Sequence, residues 1–318
     1  MALCRLRQLV VAAILVAGFV MPETVAAGTD IAVFIRDSLT STTRTLRGAK
    51  KVIKREHPDV VFHSFLIHNE SDRNLDVVDS LAKVKPRLIL TVGSAATEFA
   101  QSNFQNIPIV FAAVKYPVLS GFVESMARPG SNSTGASLNI PIDVQFRYLG
   151  EIVPDLKRIG VFYTDNTAGL ITQAKIVAKS VGKELVAIKI DDIKDVPQAL
   201  DSLAATAQAI WTVADPKLFD PRSTRYVLLN ALRKGIPLMG FSRHIVESGA
   251  LFALDFDYKA IGVQAGGIVN RVVAGADPGS IPVTMVDALW FHYNEKTAER
   301  IDVKIPDELV AVAKEVYR

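Results

Sequence analysis

Residues 93–97 read Gly-Ser-Ala-Ala-Thr and follow directly on the apolar run Leu88–Val92. A strand that breaks at Gly-Ser and passes at once into small, helix-compatible residues places a helix N-terminus at the carboxyl edge of a sheet. Four main-chain N–H groups lack helical partners at such a terminus and carry partial positive charge. Gly93, Ser94, Ala95 and Ala96, with the hydroxyl of Thr97, could therefore receive a carboxylate or phosphate. The alternative is that Ser94 only caps the helix. Two further strand ends carry polar groups. Tyr163, Thr164 and Asp165 could wall a cleft or form an N-cap loop in "TDNTAG", and Ser242 and Arg243 follow the run Ile236–Phe241.

Other chemistries lack the residues they need. Cys4 is the only cysteine and sits near the extreme N-terminus, so thiol nucleophiles, disulfides and thiolate metal sites are not expected. Histidines 57, 63, 68, 244 and 292 are scattered, and the five-residue spacing of His63 and His68 has no third ligand nearby, so no metal is expected. Neither G-x-G-x-x-G, G-x-x-x-x-G-K-[ST] nor G-x-S-x-G occurs, so no nucleotide cofactor and no catalytic residue is expected. Net charge is +3 over 318 residues and is spread along the chain, which argues against nucleic acid as a partner.

The elements that must position these residues alternate. Strands are expected at 31–35, 60–66, 88–92, 109–114, 159–163, 185–190, 209–213, 236–241 and 250–254. Helices are expected at 43–56, 172–182, 196–206, 223–234 and 261–273, from apolar residues at three and four spacing. This is an α/β pattern with largely parallel sheets. "LILTVGSAATEFAQSNFQNIPIVFAAV" and "AIWTVADPKLFDPRSTRYVLLNALRKGIPLMGFS" share one plan, as two similar lobes would or as any two βαβ units would. Turn-rich "ARPGSNSTGASL" at 127–138 separates two halves of similar size, and "GADPGSIPV" at 275–283 offers another crossing. In such a molecule Arg243 could contact a ligand or bridge the two lobes.

The N-terminus reads as a secretory signal peptide. Arg5 and Arg7 precede the apolar run Leu9–Val20, and Val25-Ala26-Ala27 supplies the small residues of a cleavage site. The run is shorter than the ~20 apolar residues of a membrane span. An exported protein, cleaved near Ala27, is expected.

Several stretches together resemble one family. "IPIVFAAVKYPVLSGFVESMARPGSNSTGASL", "LGEIVPDLKRIGVFYT", "AIWTVADPKLF", "SGALFALDFDYKAIGVQAGGIVNRVVAGADPGSIPV" and "HYNEKTAERIDVKIPDELVAVAKEV" are similar to extracytoplasmic substrate-binding proteins of the ABC transporter group that includes tryptophan and tyrosine binders. The resemblance runs from about Leu88 to the C-terminus. Residues 30–85 fit less well, with "TSTTRTLRGAKKVIKREH" in place of the family's glycine-rich helix.

The resemblance implies a type I periplasmic-binding-protein fold: two doubly wound parallel-sheet α/β lobes joined by a hinge, with crossings near Ser137, Asp255 and Pro282. Residues 28–136 and 256–282 would form one lobe, and residues 137–255 and 283–318 the other. It implies a periplasmic monomer that takes an amino acid or related carboxylate between the lobes and passes it to ABC permease subunits. A sensory receptor using the same clamp, or an exported α/β enzyme, are the alternatives.

It also matches residues 94–97 to the loop that receives the ligand carboxylate and Asp215 to an acidic position that could hold a ligand ammonium, although Asp215 could instead cap the "PKLF" turn. Asp257 and Tyr258 match the family's Asp-Tyr, for which a hinge-side structural role is expected. The departure lies at Lys115 and Tyr116, where the family commonly carries a small residue and an Asp. If both face the cleft, the ligand gains an extra negative group or lacks an amine; otherwise Lys115 is a rim residue and Tyr116 packs on a neighbouring turn.

Overall fold

The computed structural model describes residues 29–68 and 71–318. The expected signal peptide therefore lies outside the described residues. Two β-sheets organise the chain, and both have apolar residues on both faces.

The first sheet contains β1 (Asp30–Ile35), β2 (Val61–Leu66), β3 (Leu88–Val92), β4 (Ile109–Val114) and β5 (Ser133–Ser137). All are parallel, in the order β2-β1-β3-β4-β5. Alternation decides which side chain goes to which face. Ile31, Val33, Leu88 and Leu90 pack under α1 (Thr40–Glu56) and a helix contributed from much later in the chain; Ala32, Phe34 and Ile89 pack under α2 (Leu75–Val84) and α3 (Ser94–Asn103).

The second sheet has seven strands in the order β12-β11-β10-β9-β8-β6-β7. They are β6 (Arg158–Tyr163), β7 (Glu184–Lys189), β8 (Ala209–Trp211), β9 (Leu238–Gly240), β10 (Phe252–Phe256), β11 (Leu289–Asn294) and β12 (Ala313–Tyr317). Every pairing is parallel except β10 with β11. On one face lie α4 (Ile142–Ile152) and α5 (Ala168–Ser180), with Phe146 and Ala174 packed on Val161, Trp211 and Leu254. On the other lie α6 (Val196–Thr206), α7 (Pro221–Arg233) and α8 (Arg243–Glu247), with Leu200, Val227 and Val246 packed on Phe162 and Ile210.

The late helix on the first sheet is α9 (Tyr258–Val273). The chain thus leaves the first sheet after β5, builds most of the second, returns through α9 and crosses again after Ile281. There Thr284 bridges to Ala136 and Val283 packs on Phe111. Helices α1 and α9 approach so closely that a Cβ on Gly48 or Gly262 would collide with the carbonyl oxygen of Lys259 or Thr45, respectively. Two short helices, α10 (Glu295–Arg300) and α11 (Asp307–Ala311), complete the second lobe. None of the described helices is long and apolar enough to cross a membrane.

The expected strands at 88–92 and 109–114 and the helix at 196–206 keep their bounds. β5 was hidden in the turn-rich stretch: "STGAS" is polar, yet all five residues are buried. The Thr134 hydroxyl donates to the Ile281 carbonyl at 2.7 Å, and a Cβ at Gly135 would strike Phe111. Tertiary partners, not side-chain propensity, make this a strand.

Candidate functional site: a cleft between the lobes

A cleft of about 640 Å³ opens where strand ends of the two lobes face each other. That is the size of a small-metabolite site. The first lobe contributes Leu39–Ser41 and Arg44 at the start of α1, and Lys115 and Tyr116 beyond β4. The first crossing contributes Leu138, Asn139 and Ile140. From the second lobe come Trp211 at the end of β8 and Thr212–Ala214 beyond it, Phe241–His244 beyond β9, Asp255 and Phe256 at the end of β10, and Trp290 of β11. Most of these follow the carboxyl ends of parallel strands, where sheet topology leaves a crevice.

The turn after β4 is unusual and shapes the wall. Its register with β5 shifts between Ala112 and Val114, and Ala113 (φ +59°) and Tyr116 (φ +47°) occupy the left-handed region that non-glycine residues rarely adopt. Local bonds hold it. The Tyr116 amide donates to Asn139 Oδ1 at 3.0 Å, the Lys115 amide to Ser94 Oγ at 3.4 Å, and the Leu138 amide to the Val114 carbonyl at 2.8 Å. Tyr116 packs on the core of the second lobe, so this turn of the first lobe touches both. Burial pushes its phenol up to about 12, which keeps the hydroxyl protonated as a donor at neutral pH. Lys115 is exposed by area, but protein surrounds its ammonium closely enough that desolvation lowers its pKa from the ordinary 10.5.

Across the cleft, Trp211 is fully buried, packs edge-on to Phe146 at 5.2 Å and donates from Nε1 to Gln145 Oε1 at 2.8 Å. Its indole is core that borders the cleft. Trp290 is half-buried and carries the Lys314 ammonium 4.9 Å from its ring centre. Asp255 accepts from the Phe256 amide at 2.8 Å and from the Arg243 amide, in the first turn of α8, at 3.4 Å. The Arg243 guanidinium meets Glu315 at 3.4 Å, and Tyr317 donates to the same carboxylate at 2.7 Å. That hydrogen bond from Tyr317, with His292 and Arg243 nearby, lowers the Glu315 pKa. Arg44 of α1 pairs with Asp257 at 2.8 Å, and Asp257 also caps α9 through the Lys259 amide at 2.9 Å.

The residues singled out from sequence divide into three groups. Lys115, Tyr116, Ser242 and Arg243 line the cleft. Gly93, Ser94 and Ala95 are half-buried beside it, joined through the Ser94–Lys115 bond, whereas Ala96 and Thr97 face inward and are buried. The Thr97 hydroxyl is occupied, donating to the Gly93 carbonyl at 2.9 Å and lying 2.7 Å from the Thr91 hydroxyl.

The third group sits outside the cleft lining. Asp215 is 1% exposed and satisfied by the Thr164 and Thr167 hydroxyls at 2.6 and 3.2 Å and the Lys217 amide at 3.0 Å. This is the turn-capping arrangement, reached because Thr164 and Asp215 lie in the loops that follow the neighbouring strands β6 and β8. Tyr163 packs on the core, and Asp165 pairs with Lys189 at 2.9 Å. Sequence reasoning did not assign Asn139, Gln145, Phe241, Asp255 or Trp290 to the cleft wall. Only Phe241 and Asp255 carried a signal, as residues at the ends of recognisable strands.

A family profile described as ABC transporter substrate binding protein matches residues 31–317. A curated tyrosine-binding protein from Clostridioides difficile is 28% identical over 241 residues, spanning 74% of this chain and 69% of that protein. Among solved structures, a ligand-free, open substrate-binding protein with adhesive properties from Clostridium difficile aligns with TM-score 0.77 at 21% identity, over 91% of this chain and 99% of its own. An ABC domain in complex with L-Trp from Streptococcus pneumoniae aligns with TM-score 0.67 at 20% identity, over 91% and 100%.

Proposed function

The chain belongs to the ABC transporter substrate-binding protein family, and from that premise we propose that it is the exported, monomeric receptor of an importer for an amino acid or related carboxylate. The observation that carries this reading is the cleft itself, of about 640 Å³ and walled by strand ends of both sheets. A solute bound there contacts both lobes only when they are closed, so binding favours the closed state and presents it to the permease. Trp290, Phe241 and Tyr116 offer aromatic surface for a ring. The half-buried start of α3 at Ser94 and Ala95, beside Lys115, offers donors for a carboxylate. The relatives that bind tyrosine and tryptophan agree with a solute of this size. Binding alone suffices for the function, and no covalent step is assigned to any residue. The lobe division at 28–136 with 256–282, and 137–255 with 283–318, is part of the same proposal, as is delivery in the periplasm.

The test is mass spectrometry of small molecules released when natively purified protein is denatured, followed by thermal-shift titration of the identified compound. A bound ligand raises the melting temperature with concentration. A carboxylate solute whose stabilising effect is lost on Trp290→Ala or Tyr116→Ala supports the reading, and one that stabilises these variants as well as the native protein refutes it.

A further inference from the structure

We propose that the exposed face of α1 is a docking surface for an anionic phospholipid bilayer, held there by its row of lysine and arginine side chains. Apart from Arg44 these residues lie outside the cleft lining, so the inference goes beyond the receptor reading and does not rest on it.

Helix α1 carries six basic residues, Arg44, Arg47, Lys50, Lys51, Lys54 and Arg55, against one acid, Glu56. A net charge of +3 over the whole chain therefore hides a local concentration. Thr45, Gly48, Ala49 and Ile53 turn the other side of the helix into the lobe. All the bases but half-buried Lys50 are exposed, and their steps of three and four residues set them in a row about 16 Å long. Helix α9, alongside on the same face of the sheet, adds exposed Lys259 and Arg271 and no acid.

The fold accounts for few of these charges. Arg44 pairs with Asp257 at 2.8 Å, and the Lys50 ammonium lies 4.9 Å from the centre of the Phe62 ring. No other base of α1 or α9 has an ion pair among the described residues, although Glu56, Asp59 and Asp277 flank the two helices in sequence. Bases stand three or four residues apart repeatedly within α1, as Arg47 with Lys51 and Lys50 with Lys54, and Glu56 stands at that spacing from none of them. Such like-charge neighbours weaken a helix. Burial, and after it the Lys54 charge, lowers the Lys50 pKa, a sign of the same crowding. The helix dipole favours Lys54 and Arg55 in the last turn, but not Arg47, Lys50 or Lys51 in the middle.

The chemistry of the face selects a bilayer over a protein. Protein interfaces are built round buried apolar and aromatic anchors and are poor in lysine. The exposed side chains of α1 are threonines, these bases and Glu56, with no apolar or aromatic group among them, and α9 adds a single large one, Val263. A straight row of long cations suits an array of phosphate headgroups, which requires charge and no fixed shape.

The test sediments natively purified protein, at about 0.1 M salt, with vesicles of phosphatidylcholine alone or with about one-third phosphatidylglycerol. It is expected to pellet with the anionic vesicles only, and to be released at about 1 M salt, where the screening length falls from about 10 Å to about 3 Å. Each base near such a surface strengthens binding about fivefold, so Lys51→Gln, Lys54→Gln and Arg55→Gln together should weaken it about a hundredfold. Lys157→Gln, Lys175→Gln and Lys179→Gln remove the same charge from exposed positions on the second lobe and should leave binding as in the native protein. Lys51→Arg with Lys54→Arg, which keeps the charge, should do likewise. The α1 glutamine variant should melt no lower than the native protein, because it removes like-charge neighbours.

Equal pelleting with neutral vesicles, no pelleting with anionic ones, or an equal loss in the second-lobe variant overturns the assignment. In the second case an acidic protein surface becomes the occupant to seek. None of these results touches the solute held in the cleft, so the receptor reading stands or falls separately.

Discussion

Substituting Gly262 by alanine puts a methyl group where α9 crosses α1. Its Cβ would overlap the Thr45 carbonyl oxygen and lie 3.0 Å from the Ala49 amide nitrogen. Both obstacles are backbone inside a helix, so no rotamer change relieves them and the helices must separate. Overpacking of a tight interface costs about 1–3 kcal/mol, and with backbone on the far side the upper end applies. Alanine recovers about 1 kcal/mol through helix propensity. The net loss is ~2 kcal/mol, or about 3 °C in melting temperature for a protein of this size. Gly267, five residues further along the same helix, has nothing within 4 Å of its would-be Cβ. Gly267→Ala therefore keeps only the favourable part, about 0.4–1 kcal/mol. Paired thermal melts by circular dichroism read both. A Gly262→Ala protein that melts at or above the native temperature would refute the close-crossing argument, because the identical chemical change at Gly267 controls for propensity.

Asp215→Ala leaves two buried hydroxyls and an amide without their acceptor, so it should lower stability in urea by about 2–3 kcal/mol while changing affinity for the copurified solute less than about twofold. Ser94→Ala removes the acceptor of the Lys115 amide and should weaken that solute several-fold by calorimetry, whereas Thr97→Val, inside the lobe, should lower the melting temperature and leave affinity nearly unchanged. Burial holds His292 below its usual 6.5 against the opposing pull of Asp255 and Glu315. A histidine depressed in the folded state contributes fully above its unfolded value, and that stability drains away as pH falls from 6.5 toward the folded value; urea midpoints should decline over this window, and His292→Phe should flatten the decline. Anion binding through Lys115 has the opposite sense: a bound carboxylate raises the ammonium pKa, so affinity holds at neutral pH and falls as pH climbs through the lowered free value toward and beyond 10.5.

Much of the fold was legible because parallel strands covered on both faces are runs such as "LILTV" and "IVFAAV", whose hydrophobicity needs no partner to be recognised. The left-handed ends at Gly182 (φ +69°) and Gly235 (φ +65°) were equally visible, since glycine is the residue that closes helices there. "STGAS" was not legible, because its burial depends on Phe111 and Ile281, far away in sequence. Nor was the role of Asp215: an acid at a strand end reads the same whether it meets a ligand or two threonines, and only the adjacency of β6 and β8 decides.

By itself, then, the sequence determined the alternating layers, the absence of thiol and nucleotide motifs, and the strand ends at which polar residues gather. Those are local matters of periodicity and residue type. The tertiary structure decided which polar ends face one another. Charges at Arg44 and Arg243 find partners 213 and 72 residues away, while Lys115 finds none among the described residues. Partnership between charges is a property of distance in space, and chain separation carries no record of it.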